Sequence, residues 1–241
     1  MKKISEGIVL GHIKYSDNRS IVHIYTKDEG RASYILAIPK SNNRHKVLSA
    51  MLPLSQVEIC YLDSGTEGMR RAITIRLTKV YTDLRLDVVK GSISLFIAEF
   101  LEKCLKHNIP DDALYQYIES SLDYFDELDK YSNFHIEFLC GLCDHFGIRP
   151  GDLNISKDTN TVYWDFQEGN FVELMPSHSN FLDAELSATA CRFFVKGQAP
   201  NINLERNERN RLLQALVKYY SIHLDGVSKI KSLEILQEVF A

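Results

Sequence analysis

The hydrophobic period of this chain changes once, near residue 84, and that change decides what it can fold into. Before it, β-branched and aromatic residues come in runs of six to ten separated by short turns. After it, apolar residues recur every three to four positions. Side chains alternate across a strand with a period of 2 and around a helix with a period of 3.6, so the first stretch predicts a sheet and the second a bundle of helices.

In the first stretch, residues 8–15, 20–26, 31–38, 57–62 and 71–80 read as five strands. Asp17-Asn18 and Glu29-Gly30 are the turn signals that make the first three into hairpins. In the fifth run Ile73, Ile75 and Leu77 fall on one face, while Arg70, Thr74, Arg76 and Thr78 fall on the other. That alternation places one face in a core and one in water. Pro39 to Lys46 is a polar, basic loop, and residues 47–52 read as a short helix or an irregular link. Five short antiparallel strands in about eighty residues predict a small closed barrel, for which the OB-fold is the commonest design.

After Leu84, a stripe of Ile93, Phe96, Ile97, Phe100, Leu101, Cys104 and Leu105 marks one helix. Pro110-Asp111-Asp112 starts another, carrying Leu114, Tyr117, Ile118, Leu122, Phe125 and Leu128. A third carries Ile136, Leu139, Cys140, Cys143 and Phe146, and Gly147 and Pro150 stop it. Residues 160–175 revert to a hairpin around a Gln167-Glu168-Gly169-Asn170 turn. Two helices close the chain, one with Leu212, Leu213, Leu216, Val217 and Tyr220, the other with Leu233, Leu236 and Phe240. The expected class is α+β in two modules. Residues 1–83 form an OB-fold-like barrel, and 84–241 a mostly helical domain with a small β-hairpin at about 160–175.

Charge divides along the same line. Residues 1–85 hold 14 Lys and Arg against 8 Asp and Glu, whereas residues 86–241 hold 14 against 24. A basic β module of this size suits a phosphate backbone. Its cations gather at strand starts and in one loop. Arg19 and Arg31 begin the second and third strands, Arg70 and Arg71 begin the fifth, and Lys40, Arg44, His45 and Lys46 crowd the loop. Strand starts and loops of a small barrel can converge on one rim. Arg19, Arg31, Lys40, Arg44, Lys46, Arg70 and Arg71 are therefore the expected nucleic-acid contacts, gripping the backbone and not reading bases. Tyr15, Tyr25 and Tyr34 are candidate stacking platforms. The plainer reading of the same residues is a set of charged, soluble strand edges.

Other chemistries find little to stand on. The sequence has no H-E-x-x-H, no G-x-S-x-G and no glycine-rich phosphate loop. Cys140-Gly141-Leu142-Cys143 has the spacing of half a zinc site, but no second pair exists and both cysteines fall on an apolar helical stripe. Core packing is the expected role of that pair. The acidic residues sit at helix starts and on polar helix faces. No catalytic residue, cofactor or metal is expected. Elemental analysis of the purified protein would dismiss a metal-dependent hydrolase. The charged opening is not a signal peptide, no apolar run approaches ~18 residues, and five cysteines in apolar patterns suit a reducing cytoplasm.

Several segments resemble the RecO family of bacterial recombination mediator and DNA repair proteins. They are residues 7–10, 15–22 and 26–31, the Leu52-Pro53-Leu54 segment, residues 138–150 ending in Phe146-Gly147-Ile148-Arg149-Pro150, and the closing stretches 219–224 and 231–236. The resemblance spans nearly the whole chain. It implies an OB-fold followed by a helical domain. It further implies binding to single- and double-stranded DNA and annealing of complementary strands. With a RecR-type partner, it implies help in loading a RecA-type recombinase onto strands coated by single-strand-binding protein. In some members the acidic C-terminal tail of that coating protein docks on the helical domain. The implied location is the bacterial cytoplasm, in association with the nucleoid. Many members carry a four-cysteine zinc site after the segment that Gly147-Ile148-Arg149-Pro150 resembles, but residues 151–180 here contain no cysteine. The hairpin around Trp164 and Phe166 must then be held by packing. The alternative to a DNA-binding mediator is a protein-interaction adaptor whose basic barrel receives acidic protein tails.

Overall fold

The structure, a computed structural model, describes residues 1–41, 43–63, 68–105, 109–151, 161–195, 202–227 and 229–239. Asn42, Phe240 and parts of the expected loop at 63–68 and hairpin at 160–175 lie outside them. Five strands, β1 (Lys2–Ser16), β2 (Arg19–Thr26), β3 (Gly30–Ala37), β4 (Gln56–Leu62) and β5 (Arg70–Leu77), form a closed barrel in the order β1-β2-β3-β5-β4. The loop after β3 leads into a short helix, α1 (Arg44–Ala50). Arg44, His45 and Lys46 are thus helical, not part of a loop. Ala50 and Met51 are buried, and Val47 and Leu48 pack against a barrel core of residues such as Val9, Val22, Ile24, Tyr34, Val57 and Ile59.

Two features depart from regular alternation. The β3–β5 pairing is parallel and links Tyr34 with Arg70 and Ile35 with Arg71. Cys60 faces Thr74 while Tyr61 faces Ala72, so Ile73 is an extra residue in β5. Such a bulge shifts the phase of the strand. Ala72 and Ile75 both turn inward, and Ile73 is left 45% exposed. The expected shared face of Ile73, Ile75 and Leu77 is broken for this reason. Tyr25 and Tyr34, proposed as stacking platforms, are buried; Tyr15 is exposed at the β1–β2 tip.

Gly7 and Gly30 mark where the barrel tolerates no side chain. A Cβ on Gly7 would lie 2.5 Å from Ile24 Cγ2 and 3.0 Å from Tyr25 O. Gly30 adopts φ +68°, beside the backbone of Ile109, where an L side chain would be both strained and crowded.

The chain separates into two compact units, residues 1–129 with 229–239, and residues 130–228 with 240–241. The first contains the barrel, α1, α2 (Asp83–Leu86), α3 (Val88–Cys104), α4 (Asp112–Glu127) and the last helix, α8 (Lys231–Val239). Asp87 caps α3 by accepting from the amides of Val89 and Lys90, and Asp111 caps α4 by accepting from that of Leu114. The Asp126 carboxylate accepts from the amides of Thr82 and Leu84. Buried Lys90 donates to Asp126 O at 2.9 Å and pairs with Asp83. Tyr81 donates to Asp123 and accepts from Gln56, which joins the start of β4 to α4. Glu99 of α3 accepts from the amides of Lys231 and Ser232 and from the Ser232 hydroxyl, and so anchors the N-terminus of α8.

The second unit contains α5 (Phe134–Phe146), β6 (Tyr163–Asp165), β7 (Asn170–Val172), β8 (Phe181–Leu182), α6 (Ala184–Phe194) and α7 (Arg206–His223). Gly147 ends α5 in the left-handed conformation, φ +67°. The hairpin turns where expected, and packing holds it. Trp164 is buried among Phe166, Phe171, Phe194 and Tyr219, with ring centroids 4.8–5.6 Å apart. The third strand β8 and the helix α6 are additions to the expected elements.

His135 of α5 is buried, and burial, with the charge of Arg209 behind it, lowers its pKa to about 3. The folded chain therefore keeps this imidazole neutral, while the unfolded chain protonates it below ~6.5. Stability is unaffected above that pH and falls as pH drops from about 6.5 toward 3, by ~1.4 kcal/mol per pH unit at most from this group. Urea denaturation between pH 7 and 5 should show a falling midpoint in the parent chain. The fall should be visibly smaller for His135→Leu; equal slopes would disprove the assignment.

Candidate nucleic-acid interface

The outer face of the barrel is not uniformly available. α3 packs against β1, and from there it reaches His23 of β2 and Arg31 of β3 through one side chain. Its Glu102 is 3.4 Å from the Arg31 guanidinium and 3.9 Å from His23. Arg31 is thus held against a helix. Arg70 is similarly engaged: it forms an ion pair with Glu29, and its guanidinium lies 5.9 Å and 5.6 Å from the ring centroids of Tyr34 and Tyr61. Lys3 completes the cluster, 3.4 Å from Glu29 and 2.7 Å from Asp63. Glu29 lies in the β2–β3 turn and Arg70 opens β5, so the cluster lies close to the short parallel seam that closes the barrel.

The opposite situation holds where β3 and β5 part. Past their two paired positions a cleft of about 1000 Å³ opens. The end of β3 and α1 form one wall, and Ile73 to Leu77 form the other. Lys2, Lys46 and Arg76 contribute its cations, and Ile4, Cys60 and Ile73 its apolar surface. A second depression, of about 470 Å³, is lined by Arg19, Ile35, Ala37, Leu62, Arg71, Ala72 and Ile73. The two adjoin, because Ala37 and Ile73 line both.

Of the seven cations expected from the sequence, Arg19, Lys46 and Arg71 thus line adjoining depressions and are exposed. Lys40 and Arg44 are exposed on the segment that enters α1. Among the described residues, none of these five makes an ion pair with a carboxylate. Arg31 and Arg70 are placed apart, in the clusters just described. Lys2 and Arg76 line the cleft without having been singled out. Lys2 belongs to a strand that begins at residue 2 and not residue 8, and Arg76 reads in the sequence only as a solvent-facing strand position. Arg76 is paired with Glu58 at 2.6 Å, so its charge is largely answered within the cleft. Ile73 carried no sequence signal, since only the bulge exposes it.

The donor set does not fit a four-cysteine zinc site. Cys60, Cys104, Cys140, Cys143 and Cys191 are all buried, and burial pushes the Cys143 thiol up to about 12 and the Cys140 thiol well above its ordinary range. A thiol must lose its proton to bind zinc, so these two are held in the wrong form. Among the described residues no group of three His, Cys, Asp or Glu side chains is placed to hold a metal, and no helix is long and apolar enough to cross a membrane.

Comparisons with known proteins agree with this architecture. The family model for the N-terminal domain of recombination protein O matches residues 1–81, and that for its C-terminal domain matches residues 85–234. Proteins named DNA repair protein RecO are similar along the chain. That of Azobacteroides pseudotrichonymphae is 35% identical, that of Phocaeicola vulgatus 32%, and that of Porphyromonas gingivalis 31%, each alignment covering 98% of both chains. A five-stranded barrel followed by helices and a small separate sheet, matched by both family models in the same order, places this chain in the RecO family of DNA repair proteins.

Proposed function

We propose that this chain is a non-catalytic mediator of DNA repair whose barrel grips the phosphate backbone of single- and double-stranded DNA. The observation that carries this reading is the adjoining pair of depressions that brings Arg19, Arg71, Lys46 and Lys2 onto one exposed surface. Lys40 and Arg44 extend that surface along the approach to α1. Arg31 and Arg70 serve it from behind, by holding α3 and the barrel seam in place. Cations without carboxylate partners exchange bound counterions for phosphates at little structural cost, and the entropy of counterion release drives binding. Neutralising two strands on one surface favours their annealing. Family membership supports the wider role: action with a RecR-type protein to load a RecA-type recombinase onto strands coated by single-strand-binding protein, in the bacterial cytoplasm.

The test is the combined variant Arg19→Glu, Lys46→Glu, Arg71→Glu, measured by fluorescence anisotropy on a labelled oligo-dT over a range of salt. Each lost phosphate contact removes about 0.7 from the slope of log K against log salt for single strands. The slope should become shallower by about 2, and affinity at low salt should fall roughly 100-fold. All three side chains are exposed, two on the barrel and Lys46 on α1, so the fold should persist. An unchanged slope would refute the reading. Annealing of complementary oligonucleotides should decline in parallel.

A further inference from the structure

The small sheet of the second unit carries a polar arrangement that DNA binding by the barrel does not use. Packing secures the inner face of that sheet, where Trp164, Phe171 and Leu182 are all buried. It does not secure the loop between β7 and β8, since Leu174 is 84% exposed and Met175 is 65% exposed. A loop that buries so little apolar surface needs another tie to hold one course. Asp165, buried at the end of β6, supplies it. Its Oδ1 accepts from the amides of Gln167 at 2.9 Å and Glu168 at 3.2 Å, which shapes the turn into β7. Its Oδ2 lies 3.2 Å from Nε2 of His178, in the loop that leads to β8. Nδ1 of the same ring accepts from the Asn180 amide at 3.2 Å, so Nε2 carries the proton and donates it to Asp165. Asn180 O accepts in turn from the Phe166 amide at 2.9 Å and closes the ring of contacts.

A structural metal performs the same task in small sheets. It fixes turns distant in sequence where apolar burial is too small to do so. The family resemblance implies a four-cysteine site in this part of the chain, yet residues 151–180 hold no cysteine. We infer that Asp165 and His178 form a metal-independent clamp that takes the structural place of such a site, so that the second unit folds without zinc. Both nitrogens of the His178 ring are engaged, one with the carboxylate and one with a backbone amide. A zinc ion could reach the ring only by breaking one of these contacts. Among the described residues no third His, Cys, Asp or Glu stands with the pair to complete a metal site. The inference concerns the second unit alone and stands whether or not the barrel binds DNA.

The experiment unfolds the full chain in urea and follows its single Trp, which precedes Asp165 directly in sequence. In the parent chain the midpoint should stay within about 0.2 M after exhaustive chelation with EDTA, and equally after addition of excess zinc chloride. Asp165→Asn keeps an acceptor for the turn but sets an amide NH2 against the Nε2 proton. His178→Leu removes the donor and strands a buried carboxylate. Each should lower the midpoint by roughly 0.5–1 M. His178→Gln retains a donor and should recover about half of that loss or more. The double variant Asp165→Asn, His178→Leu should lose no more than the more damaged single variant, because no charge is then stranded. A rise of the parent midpoint with zinc, or a fall with EDTA, would assign a metal site here and overturn the inference. Unchanged midpoints in both single variants, or strictly additive losses in the double variant, would show that the pair is not the tie and would overturn it as well.

Discussion

Trp164→Ala is expected to lower the unfolding free energy of the second unit by about 3–5 kcal/mol. The ring is fully buried, and four aromatic neighbours surround it, Tyr219 at 4.8 Å, Phe166 at 5.1 Å, Phe194 at 5.4 Å and Phe171 at 5.6 Å between centroids. Those neighbours come from the turn after β6, β7, α6 and α7, so truncation opens a cavity where several elements meet. Large aromatic rings cannot rotate to fill such a gap without leaving their own packing, so little of the loss is recovered. Natural domains are stable by only ~5–15 kcal/mol, which puts the variant near its limit. Trp164→Phe keeps most of the volume and should cost substantially less. Far-UV circular dichroism in urea measures both. The parent chain, with one Trp, can also be followed by its fluorescence, which should be blue-shifted when folded and red-shifted on unfolding. A loss below ~1 kcal/mol for Trp164→Ala would show that this cluster is not the centre of the unit.

Glu29→Ala is expected to be the most damaging single change near the barrel seam, at about 3 kcal/mol. Glu29 and Arg70 side chains are 18% and 13% exposed, and Arg70 sits over the rings of Tyr34 and Tyr61. Removing the carboxylate leaves a guanidinium mostly shielded from water with two phenol rings and no counter-charge. Breaking one side of a buried pair costs more than the pair itself contributes, because the remaining charge is stranded. The partial exposure keeps the expected value at the low end of that range. The double change Glu29→Ala, Arg70→Met should recover part of the loss, since no charge is then stranded. Thermal or urea melts of the three variants measure the coupling. Equal losses in single and double variants would remove the argument. The same experiment separates the two roles open to Arg70: if it supports the seam, Arg70→Met should alter stability more than oligo-dT affinity.

Much of the architecture was legible from residue order. Asp17-Asn18 and Glu29-Gly30 set the first two hairpins, Asp111 capped α4, and Gly147 ended α5. These signals act within a few residues, so the chain announces them locally. The Trp164–Phe166 hairpin was legible for the same reason, and its need for packing followed from the missing cysteines. The misreadings share a different cause. Ile73 continued a perfect alternation, yet the pairing of β5 with β4 inserts one extra residue there and turns its side chain outward. Tyr25 and Tyr34 are ordinary strand residues whose burial depends on the barrel interior and on α4. Arg70 and Arg71 are neighbours in sequence, but adjacent strand residues point to opposite sides, so one meets Glu29 and the other lines the depression beside Arg19.

Sequence alone determined that this chain has a basic β-barrel followed by an acidic set of helices, because hydrophobic period and charge are properties of residue order. It also determined the family, through motifs spread from residue 7 to residue 236. Tertiary structure decided which cations remain available and which are held by carboxylates far away in the chain, Arg31 by Glu102 and Arg70 by Glu29. It decided as well that an apolar cleft opens beside them. Both depend on strand register and on which helix covers which face, and those are settled by packing between residues that no local pattern connects.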